Sequence, residues 1–216
     1  MVFRWYEAIR RLGLDVDFVP PGATLESYRV VLAPSLPIIS VSAERAFVAA
    51  TGIVAFGPRS GSKTRHFSIP DELPPGPLQR LLNTRVTEVS SLRPGVLVEI
   101  SGAVRGHAER WREQVETRAE TLATFADDAP ALVAQDNYHY LACWPNVDAL
   151  AMLMGLLCRK AGLATIELPA EVRLRRRGNL TFAFNYGQTP WRAPFSNEPL
   201  LGESEVMPRN FSVWKS

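Results

Sequence analysis

Apolar and polar positions alternate with two different periods along this chain. Trp5, Ile9 and Leu12 recur at helical spacing and put one apolar stripe on a helix over residues 3–13, ended by Gly13. Residues 14–19 then set Asp15 and Asp17 against apolar neighbours and stop at Pro20 and Pro21, as a short strand does. Residues 29–33 are a β-branched apolar run closed by Pro34, the mark of a buried strand. Residues 42–51 read as a helix with Ser42 as N-cap, Glu44 in the first turn and Gly52 as a left-handed stop. Residues 53–56 are apolar and form a second buried strand, followed by the loop Gly57-Pro58-Arg59-Ser60-Gly61. Strand, crossover helix and strand make a parallel unit. In open parallel sheets, function sits in loops at the carboxyl ends of strands, here residues 34–41 and 57–70.

A proline-rich run over residues 70–77 interrupts the pattern. One or two helical turns are expected at 78–83. Short strands are expected at 85–89, 96–100, 111–115, 121–125, 131–134 and 139–143, antiparallel and returning to the main sheet. Asn146 caps an apolar helix over 147–161, with Arg159 and Lys160 in its last turn and Gly162 beyond. From Pro169 onward only two-residue alternation remains, in 171–177, 180–186 and 211–214. The chain therefore divides into an α/β domain with a mixed sheet, residues 1–168, and a small antiparallel β domain, residues 169–216.

Composition narrows the choices without deciding among them. Hydrophobic residues make up 46% and charged residues 21%, and the formal net charge is +2. Such a balance is ordinarily globular and gives no electrostatic footprint for nucleic acid. Arg173, Arg175, Arg176 and Arg177 form one dense basic run, which reads as a solvated strand face. The apolar stretch 149–158 is far shorter than the ~20 residues that span a bilayer. No signal peptide is visible, so a soluble, cytoplasmic protein is expected.

Candidate chemistry is sparse. Residues 57–64 approximate a phosphate-binding loop, but Ser62 stands where that loop needs glycine and no helix pattern follows. His66, His107 and His139 lack ligand spacing, and Cys143 and Cys158 have none either, so no metal or other cofactor is expected. The loops 34–41 and 57–61 contain no carboxylate. No residue is assigned a catalytic role. Helix 147–161, apolar nearly all round, belongs in a core or at a subunit contact.

The order of motifs resembles one family. Trp5-Tyr6-Glu7-Ala8, the run Leu12 through Pro21, Tyr28-Arg29-Val30-Val31-Leu32-Ala33-Pro34 and the Arg59-Ser60-Gly61 loop are similar to family 42 glycoside hydrolases, the bacterial β-galactosidases. So are Pro75-Gly76-Pro77-Leu78, Arg85-Val86-Thr87-Glu88, Leu168-Pro169 and Phe182-Ala183-Phe184-Asn185-Tyr186. In that family a catalytic TIM barrel is followed by a glutamine-amidotransferase-like (flavodoxin-like) domain that mediates trimer formation, and then by a small β domain. A barrel alone takes ~250 residues, so the resemblance covers the second and third parts, with the α/β domain truncated at its start.

The resemblance implies a non-catalytic region that assembles a homotrimer. The parent would hydrolyse terminal β-D-galactosyl bonds with retention, using two glutamates of the barrel. An amidotransferase would need a cysteine on the turn after strand 53–56 and a histidine after 143. The chain has Arg59 and Ser60 at the first place and Trp144-Pro145-Asn146 at the second. Arg59 and Ser60 are the candidates for contacts near a subunit boundary. The alternative is a stand-alone amidotransferase-like binding module without enzymatic activity.

Overall fold

The computed structural model describes residues 1–215. They group into two compact units, residues 1–5 with 19–163 and residues 6–18 with those from 164 onward. Helix α1 (Val2–Arg10) contributes to both. It stops at Arg10, short of residue 13. Single-turn bonds from the Leu12 and Gly13 amides to Ile9 and Arg10 carry the chain to Gly13 at φ +72°.

The first unit is built on one nine-stranded mixed sheet. Strand β1 (Val30–Ala33) leads through α2 (Val41–Ala49) to β2 (Ile53–Phe56), and the two strands pair in parallel with Val30 opposite Ile53. A 3₁₀ turn, Gly76–Leu78, and the short helix α3 (Gln79–Leu82) introduce five antiparallel strands. These are β3 (Thr84–Ser91), β4 (Leu97–Gly102), β5 (Gly106–Thr117), β6 (Glu120–Phe125) and β7 (Pro130–Gln135). β8 (Tyr138–Leu141) pairs antiparallel with β7 and parallel with β2, and so returns the meander to the parallel pair. The order is β1-β2-β8-β7-β6-β4-β5-β3, with β9 (Cys143–Pro145) paired to β5.

Each face of this sheet is covered by what its alternation dictates. Val54, Phe56, Tyr138 and Tyr140 join Phe47 of α2 and Leu78 and Leu82 near α3 in one core. Helix α4 (Val147–Lys160) packs on β2, β5 and β9 and buries Leu150, Leu153, Met154, Leu157 and Cys158. Each such large side chain contributes about 1.5–3 kcal/mol. The apolar surface of α4 is thus used largely inside its own unit.

Two capping expectations change. The N-cap of α2 is Ser40, whose hydroxyl accepts from the Ala43 amide at 3.1 Å, and Ser42 lies inside the helix. That helix ends at Ala49 with an extended Ala50, so Gly52 is no left-handed cap. Gly52 is required for closeness instead, because a Cβ there would lie 2.2 Å from the Tyr28 carbonyl oxygen.

The second unit holds β10 (Val172–Arg177), β11 (Leu180–Asn185) and β14 (Asn210–Lys215) as an antiparallel sheet. A two-stranded pair, β12 (Trp191–Arg192) and β13 (Glu205–Val206), lies between them in sequence. Val172, Leu174, Ala183 and Trp214 form its core. The strand expected at residues 14–19 does not form. The Asp15 carboxylate accepts from the Arg176 amide at 3.2 Å and pairs with Arg10 and Arg175, so side-chain bonds replace a backbone ladder there.

Candidate functional site

The loops at the carboxyl ends of β1 and β2 are tied together by backbone and one hydroxyl. The Gly57 amide donates to Ala33, the Gly61 amide to Leu36 and the Lys63 amide to Pro37. Ser60 is fully buried; its hydroxyl donates to the Gly57 carbonyl at 2.8 Å and accepts from the Leu36 amide at 3.4 Å. A side chain at Gly57 would place Cβ 1.9 Å from the Pro34 carbonyl oxygen. The turn between these anchors is forced, and Arg59 takes the left-handed conformation, φ +67°. No helix follows the loop, so its amides do not converge as in a phosphate cradle.

The carboxylate that holds this turn comes from β5. Glu113, 1% exposed, accepts from the Arg59 amide at 2.8 Å and the Trp111 indole N–H at 3.0 Å. It also accepts from the Tyr140 phenol at 2.5 Å. Burial pushes the Glu113 carboxyl above the usual carboxylate range, and those bonds together with the Arg59 charge pull it back. Burial and the adjoining carboxylate push the Tyr140 phenol up as well. The sequence reading placed no carboxylate near this loop and missed Glu113. The available signal was phase: in β5 it shares a face with Trp111 and Val115, where an apolar residue belongs.

Above this buried knot the Arg59 guanidinium lies 5.1 Å from the centre of the Trp111 ring. Both line a cleft of about 280 Å³ together with Lys63, Glu88, Val86 and Pro74. Arg59 is exposed to it and Ser60 is not, so Ser60 shapes the loop and Arg59 is what the loop presents.

The site carries little chemistry of its own. Glu113 is committed to three donors, and the Ser60 hydroxyl to a backbone carbonyl with no histidine bonded to it. Cys143 and Cys158 are buried, and burial pushes both thiols up, Cys158 to about 11. His139 is buried in β8, and His66 is exposed and accepts from the Arg65 guanidinium. Among the described residues no group of histidine, cysteine or carboxylate side chains is placed to hold a metal ion. None of the helices among them is long and apolar enough to cross a membrane.

Comparison with known proteins adds what the geometry lacks. Residues 1–164 match the family model described as the beta-galactosidase trimerisation domain. The chain is 49% identical over 218 aligned positions to a beta-galactosidase of Thermus thermophilus, covering all of this chain and 34% of that protein. It is 32% identical to beta-galactosidase BgaH of Haloferax lucentense, over 94% of this chain and 33% of that one. Among solved structures, the beta-galactosidase of the psychrophilic Marinomonas ef1 superposes with a TM-score of 0.95 at 34% identity. That match covers 99% of this chain and 33% of the other. The chain thus spans about a third of the length of these relatives.

Proposed function

Because the chain belongs to the β-galactosidase trimerisation-domain family, we propose that it is the assembly region of a β-galactosidase and not its catalytic part. It self-associates as a homotrimer and carries the catalytic barrel of the parent enzyme. The parent hydrolyses terminal β-D-galactosyl residues in the cytoplasm, with both catalytic carboxyl groups outside these 216 residues. Residues 1–168 supply the trimerisation domain, on a scaffold of glutamine-amidotransferase type that lacks that chemistry. Residues 169–216 supply the closing β domain.

The observation that carries this reading is the turn at the end of β2. Its left-handed position presents Arg59 to the cleft, and the Ser60, Glu113 and Tyr140 side chains beneath it are bonded internally. Such a turn positions a recognition group and transfers nothing. Arg59 is the proposed contact at the subunit boundary, with Ser60 holding it in place.

Light scattering coupled to size exclusion tests the assembly. The expected mass is three times the 24.0 kDa chain mass. A monomer at high micromolar concentration overturns the reading.

A further inference from the structure

Two neighbouring features of the first unit carry charges without an ion-pair partner among the described residues, and within one copy the Lys63 ammonium lies 5.8 Å from the centre of the Phe67 ring. One is the cleft beside the β2 turn, walled by Trp111, Val86, Val89 and Pro74 and rimmed by Arg59 and Lys63. Neither cation has an ion-pair partner within 4.0 Å among the described residues. Glu88 and the buried Glu113 also line the cleft, so its formal charges balance, with Arg59 and Lys63 left at the rim. The other feature is the loop that runs on from Lys63. Phe67 is 63% exposed and Ile69 81%, and the exposed carboxylates Asp71 and Glu72 follow them. Neither carboxylate is paired among the described residues.

This loop is a compact turn that leaves the Phe67 and Ile69 side chains largely exposed. The Thr64 amide donates to the Ser68 carbonyl and the Phe67 amide to the Thr64 carbonyl, both at 2.9 Å, and the Thr64 and Ser68 hydroxyls meet at 2.6 Å. Phe67 is kept at φ +63°, a region unfavourable for a bulky residue. Phe67 and Ile69, close in one loop, leave an exposed apolar patch of the kind that marks an interaction surface.

Loop and cleft complement each other. Two apolar knobs followed by two carboxylates face the same chemistry reversed: apolar walls with two cations. They adjoin on one copy, so rotation about a nearby axis carries the loop of one copy onto the cleft of the next. A contact of that kind is heterologous, and it closes into a ring where the rotation between copies divides the full circle. Resting on the self-association reading above, we propose that residues 65–72 of one copy seat in the Arg59–Trp111 cleft of the next. Phe67 and Ile69 pack against its apolar walls, and Asp71 and Glu72 pair with Arg59 and Lys63. The guanidinium, backed by the Trp111 ring, presents the planar fork that a carboxylate accepts in bidentate fashion.

Sedimentation equilibrium of the purified chain decides it, with circular dichroism confirming that each variant is folded. Arg59→Glu/Lys63→Glu and Asp71→Lys/Glu72→Lys are each expected to weaken assembly at least about thirtyfold, the size of a hot-spot loss. The variant combining all four reversals restores complementarity and regains assembly. Ile69→Ser, which alters only an exposed side chain, weakens it without any change of charge. An oligomeric wild type whose assembly survives either charge reversal overturns this seat and leaves the self-association reading standing. The seat also falls if the combined variant assembles no better than its parents. A monomeric wild type overturns both.

Discussion

At the scale of single residues, two buried ionisable groups behave in opposite ways. Glu113 is a hub: truncation to alanine orphans an amide, an indole N–H and a phenol at once. Each orphan costs about 1–3 kcal/mol, so Glu113→Ala is expected to lose at least about 3 kcal/mol in urea unfolding. Glu113→Gln keeps an oxygen for the first two donors and offers an N–H to the phenol oxygen, so its loss should stay near 1 kcal/mol. His139 has no such network, and both ring nitrogens are buried without a partner. Burial, and then the charge of Lys160, lowers its pKa from 6.5 to about 4. The unfolded chain therefore takes up a proton near pH 6.5 and the folded chain only near 4. Stability is full above pH 6.5 and falls by about 3 kcal/mol as the pH drops to 4. His139→Leu should flatten that slope between pH 4 and 6.5 relative to wild type. An unchanged slope would show that His139 is accessible to protons in the folded state.

At the scale of elements, the caps differ in how much they hold. Ser40 satisfies one amide of α2, that of Ala43. Asn146 accepts from the Ala149 amide of α4 at 3.2 Å and also from the His107 amide in β5 at 3.1 Å. Ser40→Ala is therefore expected to cost about 1 kcal/mol, an ordinary cap loss, and Asn146→Ala about twice that. Thermal unfolding of the two variants side by side checks the ranking, and equal losses would mean that the His107 amide finds another acceptor. Gly106 belongs to the same joint, since a Cβ there would approach the Asn146 side-chain oxygen to 2.4 Å. β5 runs from this cap to the Glu113 knot, and so links the start of α4 to the β2 turn.

At the scale of the whole molecule, scaffold and chemistry separate. Hydrolysis of a glycosidic bond needs a proton donor and a second carboxylate held across one bond. Here the buried carboxylate at the cleft is saturated by donors, and the exposed one, Glu88, has no second carboxylate free to work with it. The purified chain is expected to release no chromogen from a β-galactoside above a heat-killed control, even at high protein concentration. Turnover that survives further purification and disappears in Glu88→Gln would place chemistry in this cleft.

What the sequence determined by itself is local or ordered along the chain. Apolar periodicity located both parallel strands, α4 and the three longer strands of the tail, because burial of one face imposes a period on each element. The ordered run of motifs pointed to the family without a single shared catalytic residue. The absence of cysteine at the β2 turn was readable because a nucleophile is one residue at one place. Three features needed the fold. Residues 14–19 alternate like a strand, yet Asp15 answers Arg175 and Arg176, brought close only by tertiary packing. Ser42 reads as the cap of α2, and the turn into the helix puts Ser40 there instead. Glu113 reaches the turn at Arg59 across 54 positions of sequence, through a register between strands that no local pattern encodes. Local pattern reports which face of an element is dry. Only the packed sheet decides which dry faces meet, and the cleft beside Arg59 is made where they do.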